Sequence, residues 1–314
     1  MRFLVLLWCC TFLAFEVSAA PFAYVTNQGE NSVSVVDLTS NQVQKNISVG
    51  KGPVGLAIDA KMQRVYVTNV ESRSVSVIDL GLQKVVAEIP MTIAPVGIVL
   101  SKGGKHLFVA DWFHNKVLVY ETVTLRLVHE IIMGDAPAGM VLSHDGSKLY
   151  VANRDSNDVG VVDSNSFQVI KKILVGKHPF GMTLSRDQNT LLVVNVESNS
   201  VSLINTSDDT LQENIAVGEH PYCVTTNSDG SKAYVSNTGE DSVTVVDMTK
   251  KVAIKKIITD GFPEGISYDV SRDRVYVASW LDDSLVVIDA VADVVSTRIS
   301  TGKQSRAFGD FISN

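Results

Sequence analysis

Short apolar runs bounded by polar turn residues recur along nearly the whole chain, and their composition is that of strands. Val33-Ser34-Val35-Val36-Asp37, Val75-Ser76-Val77-Ile78-Asp79 and Val243-Thr244-Val245-Val246-Asp247 are brief and rich in β-branched residues. A second type of run precedes each of them. It reads Tyr24-Val25-Thr26-Asn27, Tyr66-Val67-Thr68-Asn69, Phe108-Val109-Ala110-Asp111, Tyr150-Val151-Ala152-Asn153, Leu192-Val193-Val194-Asn195, Tyr234-Val235-Ser236-Asn237 and Tyr276-Val277-Ala278-Ser279. Successive copies start 42 residues apart, so seven of them account for almost all of the chain beyond residue 20. A period of that length suits either a four-stranded propeller blade or a helical solenoid. The local pattern decides for strands. A third strand per copy is seen at Asn46-Ile47-Ser48-Val49-Gly50 and Lys172-Ile173-Leu174-Val175-Gly176, and a fourth follows Pro-x-Gly at Pro53, Pro95, Pro137 and Pro179. Asp145-Gly146 and Asp229-Gly230 supply turns. No convincing helix is present. The prediction is an all-β, seven-bladed β-propeller of four-stranded blades, occupying residues 20–314 as one domain.

The YVTN, VSVVD and VGxxPxG elements resemble the YVTN family of β-propeller repeat proteins, and the resemblance runs through all seven copies. It implies a seven-bladed toroid of a secreted bacterial or archaeal kind. It does not specify a function, because propellers carry many unrelated activities.

The register also predicts how the ring closes. The first copy lacks a strand before its YVTN run, and the C-terminus is placed to supply it. Gly302 lies 252 residues, six periods, after Gly50, and Ser305-Arg306-Ala307 aligns with Pro53-Val54-Gly55. Residues 308–312 then form the inner strand of the first blade, so that both chain ends join one sheet.

At the start, Met1-Arg2, the apolar residues 3–15 and Val17-Ser18-Ala19 have the layout of a cleaved signal peptide over residues 1–19. Glu16 ends the apolar run well short of the ~20 residues a membrane-spanning helix needs. The expected location is periplasmic or extracellular, with no transmembrane segment. Two of the three cysteines fall in that leader, which leaves Cys223 without a disulfide partner. A formal net charge of −7 disfavours nucleic acid as a partner.

Positions common to all copies belong to the fold, so function is sought in the departures. The aspartates ending the VSVVD run (Asp37, Asp79, Asp163, Asp247, Asp289) are read as caps of their own turns. The asparagines after YVT are read as turn residues whose side chains are exposed beside any ligand. With strands lettered A to D from the Pro-x-Gly, antiparallel order puts the B–C and D–A loops on one face of the disc. The residue after the proline runs Val54, Val96, Ala138, Phe180, Tyr222, Glu264 and, by alignment, Arg306. Glu264 and Arg306 either orient a polar ligand at the channel mouth, against an apolar wall of Phe180 and Tyr222, or form a salt bridge closing the seam.

Before the proline, His178 and His220 occupy equivalent sites in adjacent blades. They form the candidate site for a divalent metal, with Asp135 or Glu219 nearby; the alternative is solvent-facing loop histidines. No other cofactor is predicted, since C-x-x-C-H is absent. Cys223 replaces the glycine of Pro-x-Gly and is either reactive or a small buried hydrophobe. The third B–C loop carries Trp112, Phe113 and His114, and the seventh carries Trp280. These aromatics are candidate anchors for a partner. The chain has no G-x-S-x-G, H-E-x-x-H or phosphate loop. Two functional readings remain: a module holding a partner protein or small-molecule ligand on the B–C/D–A face, or, by resemblance to related propellers, a lactonase-like hydrolase or lyase at the central channel.

Overall fold

The computed structural model describes residues 21–259 and 261–313; the leader expected over 1–19 lies outside them. The chain forms seven antiparallel four-stranded sheets arranged as blades, and the helical content of the described residues is one 3-10 turn, Gln28–Glu30. Blade 2 is typical, with strands A (Pro53–Asp59), B (Arg64–Asn69), C (Ser74–Asp79) and D (Lys84–Pro90). Pro53 pairs with Asn69 and Asn69 with Ser74, which places the D–A and B–C loops on the same face, as antiparallel order requires.

B and C strands are buried on both sides because each blade stacks on two neighbours. In blade 4, Lys148–Asn153 buries five of its six residues, whereas the outer strand Gln168–Leu174 buries only Ile173. The repeated tyrosines Tyr24, Tyr66, Tyr150, Tyr234 and Tyr276 are 0–2% exposed and fill the spaces between blades.

Polar side chains tie neighbouring blades together. Thr26, Thr68 and Ser236 on B strands donate hydroxyl hydrogen bonds of 3.0, 2.9 and 2.6 Å to the carbonyls of Val54, Val96 and Glu264 in the following blade. Asn31, Asn115, Asn157, Asn199, Asp241 and Asp283, all in left-handed backbone, accept from the main-chain N–H in the D–A turn that leads to the next blade. Arg73 stands at this position in blade 2 and makes no such bond. The turn after it, at residues 91–94, lacks both the glycine of its counterparts and their left-handed residue before the proline.

The C-strand aspartates cap their own turns as expected; Asp37 Oδ1, for example, accepts from the N–H groups of Thr39 (2.7 Å) and Ser40 (3.1 Å). The asparagines differ from expectation. Asn27, Asn69, Asn153, Asn195 and Asn237 are fully buried. In four of the five, Nδ2 donates to two C-strand hydroxyls, as Asn69 does to Ser74 (3.2 Å) and Ser76 (2.9 Å); Asn153 donates instead to Asp158 (2.6 Å). They pin the B–C corner from inside and form no exposed polar ring, since a glycine just after the D strand of the preceding blade (Gly302, Gly50, Gly134, Gly176 and Gly218) lets each amide pack beneath the loop.

Ring closure uses the C-terminus, with one correction. Only Ile312–Ser313 pairs in the ladder, opposite Ala23 and Phe22. Ser305 pairs with Asn27 as Pro53 pairs with Asn69, while Ile312 stands where Ile58 does. Seven residues therefore cover what five cover in blade 2, and the extra two bulge inward. In the bulge, the Phe308 N–H donates to the Val54 carbonyl and its own carbonyl accepts from Leu56 N–H (2.9 Å), while Arg306 carbonyl accepts from Gly265 N–H (3.0 Å). Gly309, at φ 118°, permits a turn that a side chain would block, since a Cβ there would lie 2.5 Å from the Leu56 carbonyl oxygen.

Candidate functional site

The bulge decides the shape of the central channel. At the B–C/D–A mouth, the residues following the prolines converge and fill the opening. Phe180 packs against Tyr222 (ring centroids 4.5 Å apart) and Phe308 (4.9 Å). Beside them Arg306 makes a bidentate ion pair with Glu264, Nε–Oε2 2.5 Å and Nη2–Oε1 2.9 Å, and also donates to Tyr222 Oη (3.0 Å) and Gln28 Oε1 (3.3 Å). Glu264 is 3% exposed. Burial pushes its carboxyl pKa up, Arg306 offsets part of that rise, and the ion pair holds Arg306 firmly charged. Of the two sequence-level alternatives for this pair, the geometry is that of an internal bridge across the seam between blade 7 and the C-terminal segment.

Trp112 lies over this plug. Its ring meets Phe180 edge-on at 5.9 Å and carries the Arg154 guanidinium 5.4 Å above its centre. Phe113 beside it is 69% exposed, and the His114 ring binds the buried Asp111 carboxylate at 2.9 Å. Trp280 belongs to a separate cluster with Phe262 (5.9 Å), next to Leu281, which is 63% exposed. The two aromatic loops are thus not joined into one surface.

The histidines do not converge. His178 is half-buried, with Nδ1 2.9 Å from Glu197 Oε1 and Nε2 3.9 Å from Asp155 Oδ1, whereas His220 is exposed. Among the described residues no group of three or more His, Cys, Asp or Glu side chains is placed to hold a metal ion. Cys223 is 7% exposed, and burial drives its thiol pKa well up, which keeps it a neutral, weakly nucleophilic group.

Below the plug the channel is a cavity of about 670 Å³ lined by the A strands, with Phe308 and Cys223 at its closed end and Ala60, His144, Arg186 and Asn227 at the opposite rim. It opens on the face of the A–B loops. Sequence reasoning missed both this cavity and Asp310, which the bulge carries into it. One signal was available: in the simple 42-residue register Asp310 falls where the other blades have Ile58, Leu100, Leu142, Leu184, Thr226 and Tyr268, none of them charged.

A YNCE-like β-propeller family model matches residues 14–144. No curated protein sequence matches the chain. Among solved structures, the chain resembles hydrazine synthase of Kuenenia stuttgartiensis (TM-score 0.73, 21% identity, covering 81% of this chain and 88% of that one). It also resembles a functionally unknown protein of Desulfotomaculum acetoxidans (0.77, 17%, 92% and 99%) and the dihydro-heme d1 dehydrogenase NirN in complex with DHE (0.65, 18%, 88% and 63%). At these identities the likeness reports the fold. No helix among the described residues is long and apolar enough to cross a membrane. Repeat and register agree that the chain is a seven-bladed β-propeller, and over residues 14–144 it is similar to the YNCE-like propellers.

Proposed function

We propose that the protein is a binding module that docks a partner protein on its B–C/D–A face. The observation that carries this reading is the filled mouth. With Phe180, Tyr222, Glu264, Arg306 and Phe308 packed together, that face is a platform rather than a pit, and a platform suits a macromolecule better than a small ligand. The platform presents Phe113 as an exposed apolar anchor beside Trp112, whose ring is covered by Arg154, itself paired with Asp155 at 2.5 Å. The hydrolase or lyase reading has less support. It needs Glu264, His178 and His220 to converge, whereas Glu264 is engaged by Arg306 and His178 by Glu197.

The test compares retention of a polypeptide from a cell-envelope extract by immobilised wild type, Phe113→Ser and Met62→Ser. Met62 is 45% exposed in an A–B loop on the far face. A defined band kept by wild type and Met62→Ser but lost with Phe113→Ser is the expected result. Equal retention by all three would refute the assignment to this face.

A further inference from the structure

The cavity on the opposite face has the makings of a small-molecule site. Its volume, about 670 Å³, is that of an ordinary ligand pocket. The lumen is lined by half-exposed Leu100, Val141, Leu142 and Met182 of blades 3–5, and by Thr183 of blade 5 and Thr225 of blade 6. Among the described residues, the one side-chain carboxylate lining it is that of Asp310. It accepts hydrogen bonds from Ser267 Oγ (3.2 Å) and the Ile312 N–H, and no cation pairs with it among the described residues. Asp310 is exposed to the water of the channel, with protein packed around it, and that partial desolvation raises its pKa. An accessible carboxylate inside a lumen, with no cation of its own, is a point where a bound ammonium gains a charge-assisted hydrogen bond.

We propose that this cavity binds a small organic monocation, an amine with an apolar body, whose ammonium sits on Asp310 and whose hydrocarbon lies against the Val141–Met182 wall. Arg186 and His144 at the rim do not cancel Asp310. Asp310 is level with Ser267, whose blade-5 counterpart is Thr183, and Arg186 lies three residues further on. At ~3.3 Å per residue that is about 10 Å along the strand, and neither Arg186 nor His144 is among the groups that perturb the Asp310 carboxyl. This site stands on the face opposite the proposed docking platform, so the two succeed or fail separately.

Isothermal titration of the mature chain with n-hexylammonium, 1-hexanol and hexanoate tests the proposal. Hexylammonium should bind one to one, at least tenfold more tightly than either of the others. Asp310→Asn should erase that preference, a loss of tenfold or more, while leaving 1-hexanol unchanged. Thr225→Trp, which fills the lumen with Asp310 intact, should abolish binding and covers the case in which Asp310→Asn does not fold. Equal binding of 1-hexanol, an unaffected Asp310→Asn, or no binding of hexylammonium would each overturn the proposal.

Discussion

Replacing Leu125 by aspartate should stabilise the ring, because it would complete a latch that two other blade junctions possess. In blade 4, Tyr150 Oη donates to Asp209 Oδ1 of the next blade at 2.8 Å, and Lys148 Nζ pairs with Asp209 Oδ2 at 2.7 Å. Tyr234 and Lys232 of blade 6 bind Asp293 with the same distances. Between blades 2 and 3, Tyr66 and Arg64 occupy the corresponding positions, but Leu125 stands in place of the aspartate. The Tyr66 hydroxyl is buried and its proton has no acceptor; Arg64 beside it can only donate. Leu125 also adopts φ 57°, close to the 56° and 54° of Asp209 and Asp293, in the left-handed region that aspartate tolerates better.

A charged acceptor for a buried hydroxyl contributes about 2 kcal/mol, and relief of left-handed strain up to about 1. Loss of the half-buried leucine packing removes about 1–2 kcal/mol, so the net gain is about 1–2 kcal/mol. Urea unfolding of wild type, Leu125→Asp, Tyr66→Phe and the double variant isolates the new bond. The expected coupling energy between the two sites is about 1.5 kcal/mol. Coupling below about 0.5 kcal/mol would show that the latch geometry does not transfer, and would refute the reasoning.

Arg306→Leu should destabilise the protein by about 3–5 kcal/mol, because it leaves the Glu264 charge buried without its partner. Adding Glu264→Gln should restore at least half of that loss in denaturant melts; a double variant no better than the single would contradict an internal ion pair. Stability should also fall at alkaline pH. Burial raises Tyr24 and Tyr276 to about 12, and Tyr66, Tyr150 and Tyr234 upward too, so above pH 10 the unfolded chain ionises while the native one keeps its protons. The stabilisation is complete below pH 10 and declines as pH rises towards the folded values, by at most about 1.4 kcal/mol per pH unit for each tyrosine. A urea midpoint unchanged between pH 9 and pH 11 would argue against it.

Much of the fold was legible because a propeller repeats its physics. Each copy meets the same neighbours, so Tyr66, Tyr150 and Tyr234 recur at one position and strand boundaries follow from the 42-residue period. The turn-capping role of Asp37 and its equivalents was equally local and equally readable. The buried state of Asn69 and its counterparts was not. An asparagine beside a turn has the same sequence signature whether its amide faces water or lies under the loop against a glycine two blade strands away, and only the packed ring distinguishes them.

The sequence by itself determined the number of blades, the strand order within each, the face on which the B–C and D–A loops gather, and the use of the C-terminus to close the ring, because all of these follow from period and alternation. The tertiary structure alone decided what occupies the axis. Phe180, Tyr222, Glu264 and Arg306 lie tens of residues apart and meet only where the blades converge. The two extra residues that carry Phe308 into the plug and Asp310 into the cavity break the very repeat on which the reading depended, and a break in register shows its consequence only when the ring around it is closed.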